Sequence, residues 1–282
     1  MNTLKTLLFL TILTVLLIIV GGLLGGRNGM LVALIFAAIM NFGSYWFSDK
    51  IVIKMFRGRK IEEQDNPRLF SIIRRVSQSA QTPMPKVYII PSDSPNAFAT
   101  GRNPSHAAVA VTQGILRILN EDELEGVISH EVAHIRNRDI LTQTIVATLA
   151  GAISMLAFMA RFAAIFEGVG GRDQNRGGGL GLLVMAIIAP ILALLIQMAI
   201  SRSREFAADE TGAKISHKPL HLASALEKLH KATRRVPLQA NPATAHMFIV
   251  NPLTTQSFAS LFSTHPPVQQ RIAKLYDLAK RT

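Results

Sequence analysis

Four stretches of this chain hold no charged residue and are long enough to cross a bilayer, and no other feature restricts the possible folds as much. Thr6 to Gly26 and Asn28 to Ser48 are divided only by Arg27; Ile140 to Ala160 is a third, and Gly177 to Ser201, with Pro190 near its middle, is a fourth. The first three hold 21 residues each, which as helix extends about 31 Å at ~1.5 Å per residue, one hydrocarbon core. Composition agrees: 49% of residues are hydrophobic and 17% charged, an unusual balance for a soluble chain. The predicted class is a mainly α integral membrane protein with a small β-sheet. The first run closes on "VGGLLGG", which offers no A-x-A-like cleavage site, and a second span follows at once, so the pair reads as a retained signal-anchor hairpin. For the third and fourth runs a second reading stays open, in which they pack against embedded protein without crossing fully.

Basic residues set the orientation. Lys50, Lys54, Arg57, Arg59 and Lys60 crowd the exit of the second run and Arg202, Arg204 and Lys214 follow the fourth, against Arg27, or Arg172 with Arg176, in the short opposite loops. By the positive-inside bias the body of the chain and both termini are cytoplasmic. The net charge of +12 comes with only 6% aromatics, and the basic residues flank apolar runs instead of forming one patch. Anionic lipid is therefore the expected partner and nucleic acid is not. With no cysteine, any metal must be held by His, Asp or Glu.

These runs divide the chain into an N-terminal transmembrane hairpin (1–49), a first half of a cytoplasmic domain (50–139), a second hydrophobic hairpin (140–201) and a second half (202–282). Within 50–139, "NPRLFSIIRRVSQSA" spaces Leu69, Ile72, Ile73 and Val76 as one face of a helix. "PKVYIIP", "NAFAT" and "HAAVAVT" follow as short strands bounded by turn residues, expected to form a sheet in meander order. Asn120 with Glu123 makes a capping box that opens a helix through "EDELEGVISHEVAHIRNR". After the fourth run "SRSREFAADETGAKI" continues helically, "PLHLASALEKLHKATRR" is a second amphipathic helix led by Pro219, the proline-rich 236–258 is irregular, and Pro266 and Pro267 open a final helix.

"SHEVAHIRNRD" lies on the capped helix. Positions four apart fall on one face, one turn apart, so His130 and His134 can present ring nitrogens to one metal ion, while Glu131 lies about 100° round and can reach a water on that ion. This is the H-E-x-x-H arrangement of zinc hydrolysis, in which the metal acidifies water and polarises a carbonyl and the glutamate takes a proton. "HKPLH", with His217 and His221 at the same spacing, has Pro219 inside it and no acid after the first histidine, so it reads as surface. A third ligand must be a carboxylate on a neighbouring rigid element. In "SRSREFAADETG", Glu205 and Asp209 share a helical face beside Ala207 and Ala208, which permit close approach; Glu205 is assigned as the third ligand and Asp209 as the acceptor for the outer nitrogen of His130.

"SHEVAHIRNRDI", "PNAFATG", "AVAVTQGIL", "SRSREFAADETGAK" and "STHPPVQQRI", in that order and with two apolar hairpins, resemble the HtpX-type membrane metalloproteases, relatives of the CAAX prenyl proteases. The likeness covers nearly the whole chain. It implies a gluzincin-like zinc endopeptidase in the bacterial cytoplasmic membrane that serves protein quality control under heat and envelope stress. In it, His130, His134 and Glu205 bind one Zn2+ and Glu131 is the base. Misfolded membrane proteins or unfolded polypeptides are the implied substrates.

Further residues join the candidate set. His265, six before Arg271, is carried as a catalytic candidate that stabilises an oxyanion or occupies the open metal position; its other reading is a cap of the last helix. Arg271 and Asp139 are candidate outer supports of the site, with Asp139 read as an interhelix tie. Asn96 and Ala97 are candidates for holding an extended substrate as an added strand. In chain order, 71 positions separate His134 from Glu205, mostly filled by the second hairpin, which places the metal near the cytoplasmic membrane surface. Two other functions are weighed: a CAAX-type protease acting on prenylated peptides, and a non-catalytic scaffold or transporter. A conduction pathway usually leaves ionisable groups within its spans, and these four runs hold none.

Overall fold

Apolar residues on every side of a helix make it stable only in lipid or in a large protein core, and such helices form one of two compact units. The structure is a computed structural model that describes residues 2–24, 26–167, 179–235, 249 and 266–281. One unit comprises Met1–Ser44 with Thr142–Ile200, the other Tyr45–Leu141 with Ser201–Thr282.

The first unit contains α1 (Asn2–Leu24), most of α2 (Gly26–Trp46), α7 (Asp139–Glu167) from Thr142 onward, and α8 (Gly179–Ser216) as far as Ile200. Leu13, Leu17 and Val20 of α1 interlock with Val146, Ile153 and Leu156 of α7 and with Ala189, Ala193 and Ile200 of α8. Outward-facing side chains are also apolar, among them Ile18, Phe36, Ile39, Phe158, Ile187 and Leu195, which suits lipid and not water. Among the described residues two helices, Asp139–Arg161 and Val184–Ser216, are long and apolar enough to cross a membrane; Thr11–Leu23 and Gly26–Phe36 are shorter apolar helices. α8 runs through Pro190 without interruption.

The second unit is built on a four-stranded sheet: β1 (Arg59–Lys60), β2 (Lys86–Ile90), β3 (Ala97–Gly101) and β4 (Ala107–Thr112). The spatial order is β1-β2-β4-β3, with β4 parallel to β2 and antiparallel to β3. The meander expected from sequence is therefore corrected: β4 inserts between β2 and β3. Its sequence "AAVAVT" has no polar alternation and every residue in it is buried, so it belongs inside a sheet covered on both faces. Val87, Val109 and Val111 face the main core, while Ile90, Phe98 and Ala110 face α3 (Ser48–Met55), which contributes Ile53. Among the described residues no strand pairs with the outer side of β3.

On the core face, α4 (Pro67–Ser79) buries Leu69, Ile72, Ile73 and Val76, its first turn held by the Asn66 side chain accepting from Leu69 N. A short helix that the sequence reading did not separate, α5 (Gln113–Ile118), follows β4. α6 (Glu121–Arg136) opens on the reciprocal Asn120–Glu123 capping box and packs against α4, β3 and α9 (Pro219–Arg235). α10 (Val268–Ala279) packs on α9. Of the proline-rich 236–258, only Ile249 lies among the described residues.

Candidate metal centre

A helix that is apolar on one side and histidine-bearing on the next turn can aim two imidazoles at one point only if a second backbone comes close, and glycine lets it. A Cβ at Gly212 of α8 would lie 2.9 Å from His130 N and 3.0 Å from its Cα, so α6 and α8 meet backbone to backbone beside the first histidine. Ala208 is also buried there, but the tight contact falls on Gly212, which the sequence reading passed over. The His217–His221 pair behaves differently: His217 sits at φ +56° between α8 and α9, so no single helix carries both rings.

The structure brings ligand atoms of His130, His134 and Glu205 within 4.8 Å of one another. The two Nε2 atoms are 3.1 Å apart, and the carboxylate oxygens of Glu205 lie 3.4 Å from His134 Nε2 and 3.7 Å from His130 Nε2. Both Nδ1 atoms face carboxylates: Asp209 Oδ1 at 3.0 Å from His130 and Asp139 Oδ2 at 2.7 Å from His134. A ring whose Nδ1 donates to a carboxylate turns its Nε2 lone pair inward. Two such lone pairs and a carboxylate converging on one point form a donor set for a cation, and two nitrogens with one oxygen match a zinc site that keeps a fourth position open. Charge agrees: although burial disfavours a protonated His134, Asp139 and Glu205 outweigh it and hold its pKa well above the ordinary value. The site concentrates negative charge that a cation would balance.

Each carboxylate behind a histidine is itself held by a buried arginine. Arg271 is fully buried and donates to both oxygens of Asp209, at 2.8 and 2.7 Å, and to Ile249 O at 2.9 Å, with Glu205 Oε2 3.4 Å away. Burial would raise the Asp209 carboxyl, but Arg271 and then His130 bring its pKa down to about 2; this residue lies in the polar extension of α8, beyond the apolar run. On the other side Arg204 donates to Asp139 and to Asn137 O. In the sequence Arg204 is one of the basic residues after the fourth run that set orientation. The structure buries it, and nothing local in the pattern marks a pairing across 65 positions.

Glu131 is buried, with Oε2 accepting from Ala99 N of β3 at 2.8 Å. Burial, assisted by Glu205, lifts its carboxyl above the ordinary range against the pull of the two imidazoles. Thr112 N donates to Asn96 O and the Thr112 hydroxyl accepts from Asn96 N, so by antiparallel alternation Ala97, Ala99 and Gly101 turn their backbone groups away from β4, to the side that no strand of the described residues pairs. Asn96 turns inward, and its side chain accepts from Ile249 N at 3.1 Å; it anchors the edge strand, and Ala97 is the one of the candidate pair with outward groups. His265 lies outside the described residues.

Comparison with known proteins gives a consistent result. Residues 63–279 match peptidase family M48. The "Protease HtpX homolog" of Syntrophotalea carbinolica is 57% identical over 279 residues, 99% of this chain and 99% of that protein. That of Thermodesulfovibrio yellowstonii is 57% identical over 281 residues and the full length of both, and that of Thermococcus sibiricus 55% identical over 280 residues, 98% of this chain and 96% of that one. Among solved structures, Ste24p of S. mikatae superposes with a TM-score of 0.61 at 16% identity, over 93% of this chain and 62% of that longer chain, a likeness of fold.

Proposed function

The chain belongs to peptidase family M48 and is a metalloprotease; from that premise we propose that zinc is its metal, held by His130, His134 and Glu205. The substrates we infer are misfolded or damaged membrane proteins, cut in their cytoplasmic regions as part of protein quality control. One observation carries the reading: three ligand atoms lie within 4.8 Å of each other while Glu131, on the same helix, faces the edge strand at Ala99. A zinc ion bound by these residues supplies Lewis acidity toward water and toward a scissile carbonyl. Glu131, held by Ala99 at one oxygen, takes the water proton at Oε1, the oxygen Ala99 does not engage; its raised pKa suits it to the task. Asp209 and Asp139 fix the tautomers of the two ligating rings, and Arg271 and Arg204 keep those carboxylates ionised and oriented. The outer side of β3, which no strand of the described residues pairs, offers backbone groups of Ala97 and Gly101 and the Ala99 carbonyl to an extended substrate.

Residues 1–49 and 140–201 are taken as two transmembrane hairpins and 50–139 with 202–282 as the halves of a gluzincin-like cytoplasmic domain. Lys50, Lys54, Arg57 and Arg59, all exposed, support a cytoplasmic placement next to anionic lipid. The test is zinc analysis of detergent-purified wild type, Glu131→Gln and Glu205→Ala beside cleavage of an unfolded membrane substrate. Wild type and Glu131→Gln are expected to carry one zinc per chain and Glu205→Ala to lose it, with cleavage confined to wild type. Intact cleavage by Glu131→Gln would remove the assignment of the base, and full zinc in Glu205→Ala that of the third ligand.

A further inference from the structure

A small cavity opens beside His134, walled by Gly101, Arg102, Ala107, Ile135, Arg138 and Leu141 among others. Two of its walls are arginines presented by unusual backbone. Arg138, at the junction of α6 and α7, sits at φ +54°, a conformation that is unfavourable for a non-glycine residue and collects at ligand-contacting positions. It is exposed, and no carboxylate of the described residues pairs with it. Arg102 follows Gly101, whose φ is +121° and where a Cβ would fall 2.1 Å from His106 O. The turn beyond is pinned by the Asn103 side chain, which accepts from His106 N at 3.0 Å. The guanidinium of Arg102 lies 4.2 Å over the ring of Trp46. Stacking fixes the plane of a guanidinium, and its five N–H donors can serve more than one acceptor.

On the protease reading above, we propose that Arg102 and Arg138 form a subsite for an acidic substrate side chain close to the scissile bond. Glu131 marks the reaction centre at Ala99 of the edge strand, and Gly101 lies two residues farther along, roughly 6.6 Å at ~3.3 Å per residue. An added strand therefore brings a side chain about two residues from the cleaved bond to this cavity. Its free volume, about 10 Å³, is close to the space of one water by the same measure, which suits a carboxylate oxygen and no bulky group. Ala107, Ile135 and Leu141 keep the floor apolar, and a charge-assisted bond beside such a surface is stronger than in open water.

The test uses the full chain, zinc-loaded and in neutral detergent, with quenched peptides carrying Glu, Gln or Lys at each of the four positions on either side of the cleaved bond. The expected result is one position, about two residues from that bond, where kcat/KM for Glu exceeds Gln by roughly tenfold and Lys falls below Gln. In Arg138→Gln and Arg102→Gln the Glu-to-Gln ratio drops toward one, and in Arg138→Glu the order inverts in favour of Lys. The ratio is internal to each variant, so a general loss of activity does not move it. Binding gives a second readout: Trp46 is the only tryptophan, and in the Glu131→Gln protein its emission should change on titration with tryptophan-free Glu peptide, at about tenfold lower concentration than with Gln peptide. A flat profile in an active wild type, or a preference that survives both arginine substitutions, overturns the subsite alone. A preference that appears only when anionic lipid is added assigns the arginines to the bilayer and overturns it as well. Failure of zinc-loaded wild type to cut any peptide defeats the protease reading instead.

Discussion

The two imidazoles of the candidate metal centre are supported by the same device built from very different lengths of chain. Behind His134 stand Asp139, five residues on, and Arg204; behind His130 stand Asp209 and Arg271, the latter 141 positions away. Both arms read imidazole, carboxylate, guanidinium. The first, however, is begun by the loop that ends its own helix and keeps His134 partly exposed, while the second is sealed in the core with Arg271 at 0% exposure. One arm half-exists once α6 has formed; the other exists only after α8 and α10 have docked. Metal binding is thereby tied to completion of the fold.

The largest effect that would break this contrast belongs to Arg271. Arg271→Ala removes the fully buried guanidinium shared by Asp209 and Glu205, leaves Asp209 only its bond to His130 among the described residues, and is expected to cost about 3–5 kcal/mol of stability, read from denaturant unfolding in detergent. Arg204→Ala leaves Asp139 its bond to His134 and should cost less, about 1–3 kcal/mol; equal losses would mean the two arms are energetically alike. Zinc affinity is the next measure. Asp209→Asn and Asp139→Asn should each weaken binding by about 10 to 100-fold, with the Asp209 change the larger because solvent cannot replace it, and competition with a chromogenic chelator would rank the two.

The smallest effect is a control on the shared helix. Burial would raise the Glu123 carboxyl, but bonds from Lys228, Ser224 and Asn120 N bring its pKa below the ordinary 4.5. A carboxyl lowered by folding contributes stability that is complete above the unfolded value and is lost as pH falls through the folded one. Glu123→Gln should therefore remove about 1 kcal/mol at pH 7 and flatten the acid limb of the stability profile below pH 4.5, while zinc affinity at pH 7 stays at the wild-type value.

What sequence reading reached follows from the same contrast. Capping at Asn120, the apolar spacing of Leu69 to Val76 and the convergence of the His130 and His134 rings are set within a few residues and are legible. Asp139 was legible as a tie because it is near His134. The insertion of β4 between β2 and β3 was not, because strand order depends on which faces become buried and not on the pattern of any one strand. The pairing of Arg204 with Asp139 was not legible for a similar reason: its partner lies 65 positions away and nothing in the local pattern points to it. Asn96 and Ala97 are candidates for holding a substrate strand, and which of the two has outward backbone groups depends on the pairing of Asn96 with Thr112 across the sheet, which sequence does not show.

The missing side chain at Gly212 has one more consequence. Ligand distances in a metal site hold to about ±0.2 Å, whereas a methyl group at 2.9 Å from the His130 backbone must drive one helix away by several tenths. Glu205 and Asp209 ride on the helix that would move. Catalytic competence here is thus a question of machining clearance: a protein bearing one extra carbon at that joint can fold, insert and pass every test of integrity, and still have no grip on its ion.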